Sequence, residues 1–142
     1  MSILIGIDPG ENTGFAIWDS REGKFLALET LPIHQALVKV MMWRENVGHD
    51  LKVIFEDARQ RKWFPREKNV SEYRGKLMGA GAAKRDARIW EEFLTDYGIP
   101  FTAHKPQAGG TKWSADYFAQ VTGWTGRTSE HARDAALLVY GR

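Results

Sequence analysis

The chain has 142 residues, enough for one domain with a substantial core. Apolar residues make up 43% and charged residues 27%, and there is no cysteine, which excludes a disulfide-stapled scaffold and any thiolate metal site. Net charge is only +2, but residues 59–88 hold ten Lys and Arg against three acids, while the rest of the chain holds ten against fifteen. A basic block beside an acidic remainder suggests a polyanionic partner; a solvated helix face is the plainer alternative.

In chain order, Ile3, Leu4, Ile5 and Ile7 predict a buried strand, ended by Asp8 and stopped by Pro9-Gly10. No apolar run approaches the ~20 residues that a membrane helix needs. Met1-Ser2 leads straight into this strand, so no signal peptide is expected and the expected location is a reducing cytoplasm. A charge at the rim of a buried strand is costly without a partner, so Asp8 is either a turn cap or a site residue. Gly14 and the run Phe15-Ala16-Ile17-Trp18 predict a second strand, which makes a tight hairpin with the acid at its neck. Residues 19–23 predict a turn and 24–30 a third strand. Pro32 suits a helix start, and Ile33, Leu37, Val40 and Met41 recur at helical spacing over 33–46, with His34 a surface histidine. Leu51 to Phe55 predict a fourth strand ending in a second acid, Glu56, with Asp57 as a turn or capping residue.

A basic loop follows, with Arg59, Arg61, Lys62, Trp63, Phe64 and Arg66. A long helix is predicted over 71–97. Its stripe of Tyr73, Leu77, Ala80, Ala83, Ala87, Trp90, Leu94 and Tyr97 is expected to be core. Gly75, Gly79 and Ala82 form a second face of small residues. Each interior glycine weakens a helix by about 1 kcal/mol relative to Ala, so this face marks a kink or a close approach by another backbone. Gly98 ends the helix. Residues 99–103 predict a fifth strand, and Pro100 points to a sheet edge. Thr111 is expected to cap a helix reaching about Val121, and 123–126 break it. Thr128 or Ser129 caps a last helix running through Tyr140. In it His131 and Asp134 share a face, ahead of the anchoring Leu137, Leu138 and Val139. Acidic character favouring the helix dipole is the alternative for that pair.

Gly6-Ile7-Asp8-Pro9-Gly10 with Gly14, Glu56 at the end of the fourth strand, and His131-Ala132-Arg133-Asp134-Ala135-Ala136 together resemble the RuvC-type Holliday-junction resolvases of the ribonuclease H-like superfamily. The resemblance runs through nearly the whole chain. It implies a single α/β domain over 1–142, with a five-stranded mixed sheet of order 3-2-1-4-5 flanked by helices. It also implies that Asp8, Glu56, His131 and Asp134 form the catalytic, metal-binding set, with Asp8 bridging two Mg²⁺ ions and Mn²⁺ able to substitute. Hydrolysis of an anionic phosphodiester needs charge neutralised at phosphorus, which two ions about 3.5–4 Å apart supply, and hard Mg²⁺ prefers carboxylate oxygens. His131 departs from an all-carboxylate set; it is expected to bind metal as neutral imidazole or to orient the attacking water.

The DNA contacts expected on this reading are Arg59, Arg61, Lys62, Trp63, Phe64, Arg66, Lys105 and Lys112, the last two as phosphate-binding lysines and the two rings as base-stacking groups; the plainer alternative for the rings is that the loop folds back and they cover the long helix. The loop after Glu56 is longer and more basic than the family pattern, and the segment after the fifth strand is shorter. The expected partners are four-way junction DNA and a second copy of the chain, with Gly75, Gly79 and Ala82 as the seam. Two readings compete with a symmetric junction-nicking enzyme: a broader flap and Y-fork endonuclease, and a non-cleaving branched-DNA-binding module on the same fold.

Overall fold

The computed structural model describes residues 2–60, 70–106 and 112–142, without the side chains of residues 70, 71 and 73. Five strands, β1 (Ile3–Asp8), β2 (Asn12–Asp19), β3 (Lys24–Pro32), β4 (Leu51–Glu56) and β5 (Phe101–His104), form one sheet in the order β3-β2-β1-β4-β5. The β3-β2-β1 meander is antiparallel, and β4 and β5 add in parallel to it. This is the five-stranded mixed sheet, order 3-2-1-4-5, expected of the sequence. Four helices flank the sheet: α1 (Ile33–Val47), α2 (Val70–Asp96), α3 (Ala115–Thr122) and α4 (Glu130–Leu137).

Strand alternation divides the core into two layers. Ile3, Ile5, Ile7, Phe15, Ile17, Val53 and Phe55 point to one face, where they pack against Ala36 and Val40 of α1 and Ala87, Trp90 and Leu94 of α2. Leu4, Ala16, Trp18 and Ile54 point to the other, against Phe118 of α3 and Ala135, Ala136, Leu138 and Val139 at α4. Both faces of β1 and β4 are covered, which is why Ile3–Ile7 and Val53–Phe55 are apolar without alternation.

Several boundaries and one face depart from the sequence reading. β2 starts at Asn12 and β3 runs on to Pro32, because the meander pairs up to Asn12↔Pro32. β5 starts at Phe101, with Ile99 and Pro100 outside it, and it does lie at the sheet edge. The helix expected from Thr111 starts only at Ala115. Ser114 is its cap, its hydroxyl accepting from the Tyr117 N–H at 3.1 Å, and Thr111 lies outside the described residues. The last helix ends at Leu137, short of Tyr140. The predicted α2 stripe is core only in its C-terminal half: Ala87, Trp90 and Leu94 are buried, but Leu77 is 45% exposed and Tyr97 56%. The reason is length. A helix of 27 residues spans about 40 Å, and a six-residue strand such as β4 spans about 20 Å, so the helix overshoots the sheet it packs on.

Candidate active site

Asp8 and Glu56 are the last residues of β1 and β4. These strands are parallel neighbours, paired up to Ile7↔Phe55. Alternation turns both acids to the face covered by α4, since Ile7 and Phe55 belong to the opposite layer. Two glycines bring α4 down onto that face. A Cβ on Gly6 would lie 2.2 Å from the carbonyl oxygen of Ala135, and one on Gly14 would lie 2.0 Å from that of His131. Only glycine admits such an approach. The helix start is fixed as well: Ser129 caps it, accepting from the Ala132 N–H at 3.0 Å, and the Ser129 hydroxyl is hydrogen-bonded to that of Thr30. Thr30 pairs with Gly14, and Gly14 with Asp8, so the cap is tied to the same sheet level as the acid. The outcome is a His131 Nδ1 at 3.0 Å from Asp8 Oδ2.

The electrostatics record how crowded this corner is. The Asp8 side chain is only 16% exposed. Burial pushes its pKa up; the hydrogen bond from His131 opposes that, and the charges of Glu56 and Asp134 raise it again, to about 6. With Asp8 ionised the carboxylate must accept, so Nδ1 of His131 carries a proton, and in the neutral imidazole Nε2 then has the lone pair. Asp134 meets a different partner: Lys112 Nζ lies 2.5 Å from its Oδ2 and 3.6 Å from Oε1 of Glu130. Burial lowers the Lys112 pKa, but its bond to Asp134 and the nearby charges of Asp134, Glu130 and Asp8 outweigh this and raise it above the usual range. Among the described residues no three His, Asp or Glu side chains are gathered closely enough to hold one ion; Asp8 is engaged with His131, and Asp134 with Lys112. The donor chemistry nonetheless fits a hard cation. Burial above all, and then the charges of Glu56 and Asp134, raise the Asp8 pKa, and carboxylate oxygens are the ligands such a cation prefers.

The basic residues divide. Arg59 directs its guanidinium to Asp57, with Nε at 2.8 Å from Oδ1, and to Glu91, with Nη2 at 2.8 Å from Oε2. Burial opposes ionisation of Asp57, but the bonds from Arg59 and Gln60 win and hold its carboxyl below the usual range. Arg59 thus ties the end of β4 to α2. Lys105 is exposed just past β5, at the strand end next to Glu56. Arg61, Lys62, Trp63, Phe64 and Arg66 lie outside the described residues.

Sequence reasoning missed two residues. His104 pairs with Glu56 across β4 and β5 and shares its face; its Nδ1 lies 2.7 Å from the Lys105 carbonyl oxygen. Its only sequence signal was its place at the end of an edge strand, the same signal that marked Asp8 and Glu56. Arg133 donates from Nε to the Trp113 carbonyl at 2.9 Å and from Nη1 to the Thr128 carbonyl at 2.6 Å. It thereby binds two loops to α4, and no local pattern reveals contacts across twenty residues.

No protein-family model and no curated protein sequence matches the chain. Among solved structures, it is similar to the crystal structure of a fowlpox virus resolvase in complex with its substrate Holliday junction DNA. The TM-score is 0.46 and the identity 16%, over 94% of this chain and 95% of that one.

Proposed function

We propose that this chain is a metal-dependent endonuclease of the RuvC-like kind that nicks four-way DNA junctions symmetrically as a homodimer. The observation that carries this reading is the convergence of Asp8, Glu56 and the first turns of α4 at one end of two parallel central strands. Asp8, Glu56 and Asp134 would hold Mg²⁺ or Mn²⁺, with His131 beside them. Bound there, the ions would supply charge neutralisation at phosphorus and lower the pKa of an attacking water. Through its Nδ1–H, His131 holds Asp8 in one orientation, and its bare Nε2 accepts a hydrogen bond or proton from water. Lys105 and Lys112 border the acids and suit phosphate oxygens. Arg61, Lys62 and Arg66 supply the salt-sensitive grip on DNA, and Trp63 and Phe64 stack on bases exposed at the crossover. Two copies related by a two-fold axis would give two equal sites for the two strands to be cut.

The test is cleavage of an end-labelled four-way junction in Mg²⁺ and in EDTA, beside flaps and Y-forks. Paired nicks in Mg²⁺ alone, abolished by Asp8→Asn, Glu56→Gln and Asp134→Asn while junction binding persists, are expected. Wild-type single-turnover rates from Glu56→Gln would remove the proposed metal site. Tight binding with no cleavage in either metal would leave a structure-selective binding module instead.

A further inference from the structure

We propose that Lys112 is a built-in counter-cation that engages Asp134 in the metal-free protein and has to release it when a divalent cation binds the acids. The inference rests on the metal-dependent reading above and adds a competitor for the same oxygens. The Lys112 ammonium sits 2.5 Å from Asp134 Oδ2 and 3.6 Å from Glu130 Oε1, a fork between two acids one turn apart on α4.

This is a built contact. Lys112 is 63% exposed at its side chain, yet the next residue is fastened to the helix that carries Asp134. Arg133, between His131 and Asp134 in the chain, donates from Nε to the Trp113 carbonyl at 2.9 Å, and anchors itself on Thr128 through its carbonyl at 2.6 Å and its hydroxyl at 3.0 Å. The Trp113 ring packs edge-on against Tyr117 and Phe118 of α3. The backbone at Lys112 is therefore registered to α4, and the ammonium reaches Asp134 by design of the segment. A divalent ion on Asp134 would meet that ammonium at repulsive distance and compete with it for Oδ2. Displacement leaves Lys112 charged, at the edge of the acids, and able to take a phosphate oxygen. Cation arrival and phosphate capture are then two ends of one exchange.

The experiment uses the whole protein without DNA and reads Mn²⁺ binding directly, from the loss of the free-ion EPR signal. Lys112→Met and Lys112→Gln should bind Mn²⁺ about tenfold more tightly than wild type. Lys112→Arg keeps the charge and the reach, and should bind no more tightly than wild type. Lys39→Met is the charge control, because Lys39 makes a comparable 2.6 Å pair with Glu29 but belongs to α1 on the opposite face of the sheet; its affinity should match wild type. Circular dichroism confirms that each variant is folded. Equal Mn²⁺ affinity in wild type and folded Lys112→Gln overturns the exchange and leaves the metal site standing. Equal tightening by Lys39→Met assigns the effect to net charge and also overturns it. No Mn²⁺ binding by any variant removes the exchange together with the metal reading.

Discussion

At the residue scale, Asp8 burdens the metal-free protein. Its carboxyl titrates near pH 6 in the folded state, against 3.8 for the ordinary group, because burial and the charges of Glu56 and Asp134 outweigh the bond from His131. Below about pH 4 the group is protonated in both folded and unfolded chains and costs nothing. As pH rises through 6, the folded state gives up a proton that it holds more tightly than the unfolded state does, and stability is lost. The shift corresponds to a penalty on the order of 2–3 kcal/mol at neutral pH. Asp8→Asn keeps the shape and an acceptor for His131 but removes the charge. Melting in EDTA at pH 7.5 should therefore show the variant several degrees more stable than wild type, with the gain fading through pH 5 and absent near pH 4, while cleavage is abolished. A variant less stable than wild type at pH 7.5 would mean that charge crowding is not what loads this corner. The acids were legible because a carboxylate directly after a buried apolar run has few innocent explanations. The ion pairs of Arg59 were not legible, for the opposite reason. Its partners are Asp57, two residues before it, and Glu91, on a helix 32 residues away, and a basic residue in a basic stretch gives no hint of a distant acid.

At the element scale, the placement of α4 decides whether the acids meet. Periodicity in the sequence located all five strands and all four helices, because apolar spacing reports which face of an element is covered. It did not report which strands lie beneath α4 or how close it comes. That information sits in Gly6 and Gly14, which offer no side chain to a strand but serve as a seat for the helix backbone. The α2 stripe failed in the complementary way, because periodicity continues along a helix past the point where its partner sheet stops. Gly14→Ala separates seating from chemistry. The added methyl would lie 2.0 Å from the His131 carbonyl oxygen and 3.0 Å from the Asp8 Cβ, so α4 must lift. The expected cost is about 1–3 kcal/mol in stability. Junction cleavage should fall far more than that destabilisation explains, because His131 and Asp134 move together. Gly81→Ala, outside the proposed seam and with nothing among the described residues within 4 Å of the added Cβ, should leave cleavage unchanged. If Gly14→Ala cuts as fast as wild type at a temperature where it is fully folded, the seat is not what aligns the site.

At the scale of the whole molecule, the N-terminal half of α2 is left exposed by the described residues. The helix makes its main contacts with β4 and the short 3-10 turn at Ala58–Gln60. Ahead of Ala80 its described residues are exposed, with Leu77 at 45% and Met78 at 76%. Among the described residues nothing lies within 4 Å of where a Cβ on Gly75 or Gly79 would stand. Glycine at these positions costs about 1 kcal/mol each relative to Ala, and no contact among the described residues offsets it. The proposed homodimer supplies a reason: two such helices crossing at Gly75, Gly79 and Ala82 would cover Leu77 and Met78 on each side of a two-fold axis. Gly79→Leu tests this cleanly. Leucine is the better helix former, and its side chain would start in space that the described residues leave open, so the monomer's fold should be intact or firmer. Light scattering should show wild type as a dimer and the variant at half that mass, with an unchanged circular dichroism spectrum. On a labelled junction the variant should give single nicks in place of paired ones. A Gly79→Leu dimer, or a wild-type monomer that still nicks both strands together, would move the seam away from α2.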